Sequence, residues 1–257
     1  MLSIFDSFIL GVIQGLTEWF PISSSGHLVL YQQLSGIDVP VAFDVMLHFA
    51  TLVVILFVFR KDIISILRSV AKGDFKSPEG KLVLFILAGT IPTALMGFFF
   101  YDFFTSLFTN LLSVGISLIV TGMVLFTSKF VPARGEINYR KSLLIGTAQG
   151  ISLIPGMSRS GLTIGTGILS GISRETAVRY SFLLSIPAIL GATLFEFNNL
   201  TVSGVDAVSL AIGMLTAMIV GYFSLKTLIS LVLKGRFHLF AFYCWIVGVI
   251  IILISMV

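Results

Sequence analysis

Charge is scarce in this chain of 257 residues: Asp, Glu, Lys and Arg together make up 11%, where a soluble domain carries about 25%. A soluble fold of this length could not cover its surface with so few charges, and the mean hydropathy of +1.06 agrees. Soluble enzymes, disordered chains and fibrous repeats are thereby excluded, which leaves a polytopic integral membrane protein. Cysteine is almost absent. The single Cys244 rules out an internal disulfide framework and a thiolate metal cage. Basic residues are missing from the whole stretch before Arg60. With no basic n-region and with Asp6 in its apolar run, the N-terminal segment does not read as a typical signal peptide.

Long apolar runs are abundant. A helix needs roughly 20 apolar residues to cross the hydrocarbon core. Six runs qualify: 41–59, 82–101, 111–128, 180–195 (with 176–178 as an extension), 207–225 and 239–257. Two further apolar regions, 3–34 and 142–172, are interrupted. The breaks are Pro-Ile-Ser-Ser-Ser-Gly-His at 21–27 and Pro-Gly-Met-Ser-Arg-Ser-Gly at 155–161. Irregular backbone at membrane depth survives only where protein or a wet cavity satisfies it. Both regions therefore read as re-entrant helix pairs.

Basic residues set the expected orientation. Arg60, Lys61, Arg68, Lys72, Lys76 and Lys81 cluster in one connection, and Lys129, Arg134, Arg140 and Lys141 in another. The connections near 102–110 and 197–206 hold acids but no base. By the positive-inside rule the basic segments are cytoplasmic, and both termini are expected outside. The first broken region then enters from outside and the second from inside.

The two halves also repeat. At an offset of 135, Gly11, Gln14, Gly15, Ser23, Ser25 and Gly26 meet Gly146, Gln149, Gly150, Ser158, Ser160 and Gly161, and Thr17 meets Ser152. Each half is one broken pair plus three spans, an odd number, so the halves have opposite topology. The expected fold is an all-α polytopic membrane protein: six transmembrane helices plus two re-entrant helix pairs in an inverted repeat. It forms a single membrane domain over 1–257, with halves of approximately 1–130 and 136–257. Interrupted segments at matching places in inverted halves point to a site near the midplane.

The breaks carry chemistry. Gln14 and Glu18 are four apart and share a helix face. A carboxylate in an apolar run is costly and usually functional; Glu18 needs a cation, a proton or an arginine. Ser23, Ser24, Ser25 and His27 follow, where Pro21 stops the helix. The second break offers Ser158, Arg159, Ser160 and Thr163. Arg159 has no carboxylate nearby in sequence, and a phosphate held bidentately is a natural partner. Carboxylate, hydroxyls, imidazole and guanidinium together fit phosphoester or phosphoanhydride hydrolysis. Bland readings stand beside these. Ser and Gly cluster where membrane helices pack, Glu18 and Arg159 could form a structural bridge, and His27 could be a satisfied interfacial histidine. Asp44 and His48, one turn apart, read as a mutual structural pair or as supports behind the site rather than as catalysts.

These segments resemble the signatures of the undecaprenyl-diphosphate phosphatase family, also called bacitracin-resistance phosphatases. The first signature is a Glu or Gln, three residues, then Glu, here Gln14 and Glu18; it runs on through Pro-x-Ser-Ser-Ser/Thr-Gly-His, here 21–27. The second is Pro-Gly-x-Ser-Arg-Ser-Gly-x-Thr, here 155–163. The resemblance covers nearly the whole chain. It implies removal of the terminal phosphate of a polyprenyl diphosphate, which regenerates the lipid carrier for cell-wall or glycan synthesis. It implies a plasma-membrane site facing outside and dependence on Mg²⁺ or Ca²⁺. Carried over by motif, Glu18 holds the metal, Ser24 is the candidate nucleophile with metal-activated water as the alternative, His27 is the acid/base and Arg159 the diphosphate clamp. Gln14, Ser23, Ser25, Ser158, Ser160 and Thr163 complete the substrate-binding set. Gln14 stands where many members have Glu, so one charge is missing from the metal site. The expected partners are the polyprenyl diphosphate and the bilayer, with a homodimer as the candidate assembly and no nucleic acid.

Two other classes fit parts of the pattern. An inverted repeat is a transporter architecture, so a lipid-phosphate flippase or a small-anion transporter is the alternative. Type-2 phosphatidic-acid phosphatases also use Ser-Gly-His and Ser-Arg, but need a second His six residues after that Arg. Those positions are Gly165 and Tyr180 here, which disfavours them.

Overall fold

The computed structural model describes residues 2–197 and 206–256. The expected external connection near 197–206 therefore falls mostly outside the described residues. The described chain is helical, with no strand. In order it forms α1 (Ile4–Trp19), α2 (Ser24–Ser35), α3 (Val41–Val58), α4 (Arg60–Ala71), α5 (Pro78–Phe99) and α6 (Tyr101–Ser106). Then follow α7 (Leu111–Thr127), α8 (Tyr139–Ile151), α9 (Arg159–Leu169), α10 (Arg174–Phe197), α11 (Ala207–Leu233) and α12 (Phe240–Ile254). Six helical segments are long and apolar enough to cross a membrane: Val41–Val58, Pro78–Phe99, Leu111–Phe130, Arg174–Leu194, Ala207–Leu233 and Phe237–Ile254. They match the six expected spans. The chain is a multi-pass membrane protein, and Phe98, Phe223, Ile246 and Leu253 on its outer surface suit lipid.

Both interrupted regions are pairs of short helices. In each, α1 or α8 stops before a proline, and a serine starts the next helix. Ser23 caps α2 by accepting a hydrogen bond from the Gly26 amide at 3.3 Å. Ser158 caps α9 through the Gly161 amide at 3.1 Å. Such caps satisfy amides that the helix start leaves unpaired.

The helix contacts fall in reciprocal pairs. Helix α1 lies along α11, and α8 lies along α5; α3 contacts α11, and α10 contacts α5. Helices α3 and α10 meet each other, as do α7 and α12. Small residues allow these approaches. At Gly146 of α8, an added Cβ would collide with the Gly89 carbonyl of α5. Two backbones in contact cannot part without opening the interface. Gly146→Val should therefore destabilise the protein by about 1–3 kcal/mol, the usual range for overpacking. Gly191→Ala, where nothing lies within 4 Å, should leave the melting temperature in detergent unchanged. Equal melting temperatures for the two variants would contradict this packing.

The basic connection after the first span contains a helix the sequence did not announce. Helix α4 is amphipathic: Ile63 and Ile66 pack on the core, while Arg60, Lys61 and Arg68 point outward. Asp62 ties it to α10 by accepting from Arg179 Nε at 2.6 Å. Beneath the site the core is aromatic, with Trp19 edge-on to Phe182 at 5.7 Å and Phe182 against Phe59 at 5.7 Å.

Candidate functional site

The breaks after α1 and after α8 open onto the same cavity of about 290 Å³. Of the expected site residues, Glu18, Ser23, Ser24, Ser25, Ser158 and Arg159 line it. Its apolar wall includes Val45, Phe108, Leu153, Ala188 and Ile189.

Glu18 sits in the last turn of α1 and is almost fully buried. Its carboxylate is the hub. Oε1 accepts an ion-paired hydrogen bond from Arg159 Nη2. Oε2 accepts from the Ser24 hydroxyl at 2.6 Å and from Gln14 Nε2 at 3.3 Å. Glu18 and Arg159 thus line one cavity as a direct ion pair spanning 141 residues of sequence, the bridge that the bland reading describes. Arg159 opens α9, and its guanidinium lies 5.8 Å from the Trp19 ring centroid, within cation–π range.

The serines divide into two sorts. Ser24 points its hydroxyl at Glu18. Ser23 and Ser158 face inward to cap their helices, and each meets the serine two residues on: Ser23 to Ser25 at 3.3 Å and Ser158 to Ser160 at 3.2 Å. Ser23 adopts φ 70°, ψ 104°, a conformation rare for a non-glycine residue. Strain of this kind amounts to about 1–3 kcal/mol and is found where it fixes functional geometry. Here it turns the chain after Pro21 so that Ser24 points back at Glu18.

Four expected residues do not line the cavity. Gln14 lies behind Glu18, fully buried. Ser160 and Thr163 are buried supports; Thr163 donates to the Arg159 carbonyl at 2.8 Å and bonds Ser181. His27, expected as the acid/base, is turned toward α12. Its Nδ1 meets the Ser23 carbonyl at 2.7 Å, and its Nε2 meets the Tyr243 hydroxyl at 2.8 Å, with the rings stacked.

The expected mutual pairing of Asp44 and His48 side chains is not formed. The Asp44 carboxylate accepts from Gln32 Nε2 at 3.1 Å. His48 Nδ1 instead donates to the Asp44 backbone carbonyl at 2.8 Å. Its ring lines the cavity, with Nε2 3.5 Å from Glu18 Oε2. Gln149 and Thr93 also line the cavity without having been singled out for the site. Gln149 donates to Thr93 Oγ1 at 3.2 Å, and Thr93 donates to the Gly146 carbonyl at 2.9 Å. The signal for Gln149 was its repeat relation to Gln14.

A carboxylate held by a guanidinium, with a hydroxyl aimed at it in a small half-apolar cavity, suits attack on a phosphate bound by the arginine. Comparison with known proteins points the same way. The family described as Bacitracin resistance protein BacA matches residues 7–250. An undecaprenyl-diphosphatase of Halothermothrix orenii is 43% identical over 262 residues, covering 99% of each chain. The undecaprenyl-diphosphatase of Carboxydothermus hydrogenoformans is 41% identical, covering 98% of this chain and 97% of that one. That of Korarchaeum cryptofilum is 40% identical, covering 98% and 99%. With the family matched over nearly its full length and relatives this similar end to end, the chain belongs to the bacitracin resistance protein BacA family.

Proposed function

We infer that this chain is an integral membrane undecaprenyl-diphosphatase, which hydrolyses the lipid diphosphate to the monophosphate and inorganic phosphate. The carrier is thereby returned for cell-wall or glycan synthesis. The names of its full-length relatives support the substrate. The observation that carries the chemistry is the convergence of Glu18, Ser24 and Arg159 on one cavity.

Arg159 binds the terminal phosphate, which competes with Glu18 for the guanidinium. The Ser24 hydroxyl already points its proton at Glu18, 2.6 Å away, the distance a nucleophile–base pair requires. In a serine mechanism, Oγ attacks the terminal phosphorus as its proton passes to Glu18. The P–O bond to the prenyl monophosphate breaks, and water then cleaves the phosphoserine to inorganic phosphate. In the other mechanism Ser24 orients a water that attacks directly. Ser24→Ala separates them. A rapid quench of the parent protein should trap phosphoserine, which the variant cannot form; a quench without phosphoserine would assign attack to water.

The cation expected from the family resemblance fits the residues present. Among the described residues no three His, Cys, Asp or Glu side chains cluster, so an all-protein cage is not built. Glu18 offers a carboxylate, and Gln14 beside it keeps a buried Oε1 without a hydrogen-bond partner. Mg²⁺ is commonly held by one or two carboxylates together with substrate phosphates. Glu18 would hold it, and when bound it supplies charge neutralisation for the diphosphate.

The architecture we propose is two inverted halves with re-entrant pairs α1–α2 and α8–α9. Two features support it: the reciprocal contacts of α1 with α11 and α8 with α5, and the matching cap hydrogen bonds at Ser23 and Ser158. In the plasma membrane, the distribution of basic residues turns the cavity outward. Its apolar wall would keep the prenyl tail in lipid, since each buried CH₂ is worth about 0.8 kcal/mol.

The test is purified protein with undecaprenyl diphosphate, with and without EDTA, scored for free phosphate. Phosphate release that EDTA stops and Mg²⁺ or Ca²⁺ restores is the expected result. Transfer of labelled lipid or anion across vesicles without phosphate release would favour a transporter instead.

A further inference from the structure

His48 is the one imidazole in the cavity, and its hydrogen bonding leaves it incompletely used. Its Nδ1 lies 2.8 Å from the Asp44 carbonyl oxygen. A carbonyl only accepts, so Nδ1 carries the hydrogen, and in the neutral ring the lone pair is on Nε2. That lone pair faces Glu18 Oε2 at 3.5 Å, too far for a hydrogen bond of normal geometry. Two acceptors facing each other across such a gap repel unless something positive lies between them. Glu18 also has donors enough without His48, from Arg159, Ser24 and Gln14. An imidazole whose other nitrogen is fixed on a backbone carbonyl is the usual posture of a metal-ligating histidine. The ring is also reachable: the His48 side chain is 33% exposed, against 4% for Glu18.

We propose that His48, through Nε2, is a ligand of the divalent cation that Glu18 holds. The inference rests on the diphosphatase reading above and adds a nitrogen donor to a site otherwise made of oxygens. It has a consequence for metal choice. A nitrogen donor favours transition ions such as Mn²⁺ over Ca²⁺, which prefers oxygen. The cation selectivity of this chain is thus set from α3, outside the two helix breaks.

Mn²⁺ is the probe, bound to the purified full chain and read by pulsed electron paramagnetic resonance. The chain has three histidines, so assignment is direct. Bound Mn²⁺ should show coupling to an imidazole ¹⁴N. The coupling should vanish in His48→Gln and persist in a His27→Gln, His238→Gln double variant. Glutamine restores an oxygen donor in place of the nitrogen, so Mn²⁺ affinity should fall by about tenfold or more, while Ca²⁺ affinity changes much less. An unchanged melting temperature for His48→Gln would show that the loss is not unfolding. Mn²⁺ bound without imidazole coupling would overturn the proposal. If phosphate release still required a divalent cation in that case, the diphosphatase reading would stand. Failure of the parent protein to bind Mn²⁺ at all would also overturn the proposal, and phosphate release would then judge the enzymatic reading separately.

Discussion

Arg159→Lys should lower phosphate release from undecaprenyl diphosphate by about 10²–10³, the loss that follows removal of one transition-state contact. The lysine keeps the positive charge, so non-specific attraction of the diphosphate survives. What disappears is the planar fork that can hold two phosphate oxygens while its face rests beside an indole. The Arg159 guanidinium lies 5.8 Å from the Trp19 centroid, and its chain is held by Thr163 bonding the Arg159 carbonyl. A lysine ammonium has no planar face with which to keep that posture. The decrease should therefore appear mainly in kcat. A variant with near-normal kcat in correctly folded protein would remove Arg159 from the chemistry and bring the transporter alternative forward.

Glu18→Gln should have an effect as large, about 10²–10³ in turnover, for a different reason. The substitution preserves shape but deletes the only carboxylate in the cavity lining among the described residues. Arg159 loses its counter-charge, Ser24 loses the acceptor aimed at its proton, and the cation loses its charged ligand. Raising Mg²⁺ or Ca²⁺ in the phosphate-release assay should not restore activity, because an amide oxygen is a poor substitute for a carboxylate toward a hard cation. Asp44→Asn is the comparison: its carboxylate bonds Gln32 and does not line the cavity, so its effect should be much smaller. Full rescue of Glu18→Gln by added cation would show that Glu18 contributes affinity alone.

The six spans were legible because apolar runs of sufficient length have few other uses. Where the sequence reading fell short, the missing information was tertiary. Helix α4 escaped notice because its charges read as a connection, and its apolar side becomes meaningful only against the core. Helix α11 continues to Leu233 rather than ending near Leu225. Lys226 reads as a terminus in a hydropathy profile, but here its ammonium lies 4.5 Å from the Tyr222 ring, one helical turn back. In the site, Glu18, Ser24 and Arg159 were visible because each break concentrates unusual residues over a few positions. His48 was not assigned there, because its spacing from Asp44 suggested a partner on its own helix, whereas Glu18 is thirty positions away. The orientation of His27 depends on Tyr243, 216 residues later, which no local pattern could reveal.

Trp19, described above as core packing and as the surface beside Arg159, gives the molecule an optical gauge. The chain has only two tryptophans. Trp245 packs among Phe126 and Phe242, away from the cavity. Trp19 is wholly shielded from solvent, and its indole sees the guanidinium that must exchange Glu18 for a phosphate. Any redistribution of that charge alters the local field on the indole and hence its emission. In a Trp245→Phe background the tryptophan fluorescence would come from this position alone, so binding and departure of the diphosphate could be timed in the unlabelled protein, independently of how fast phosphate is released.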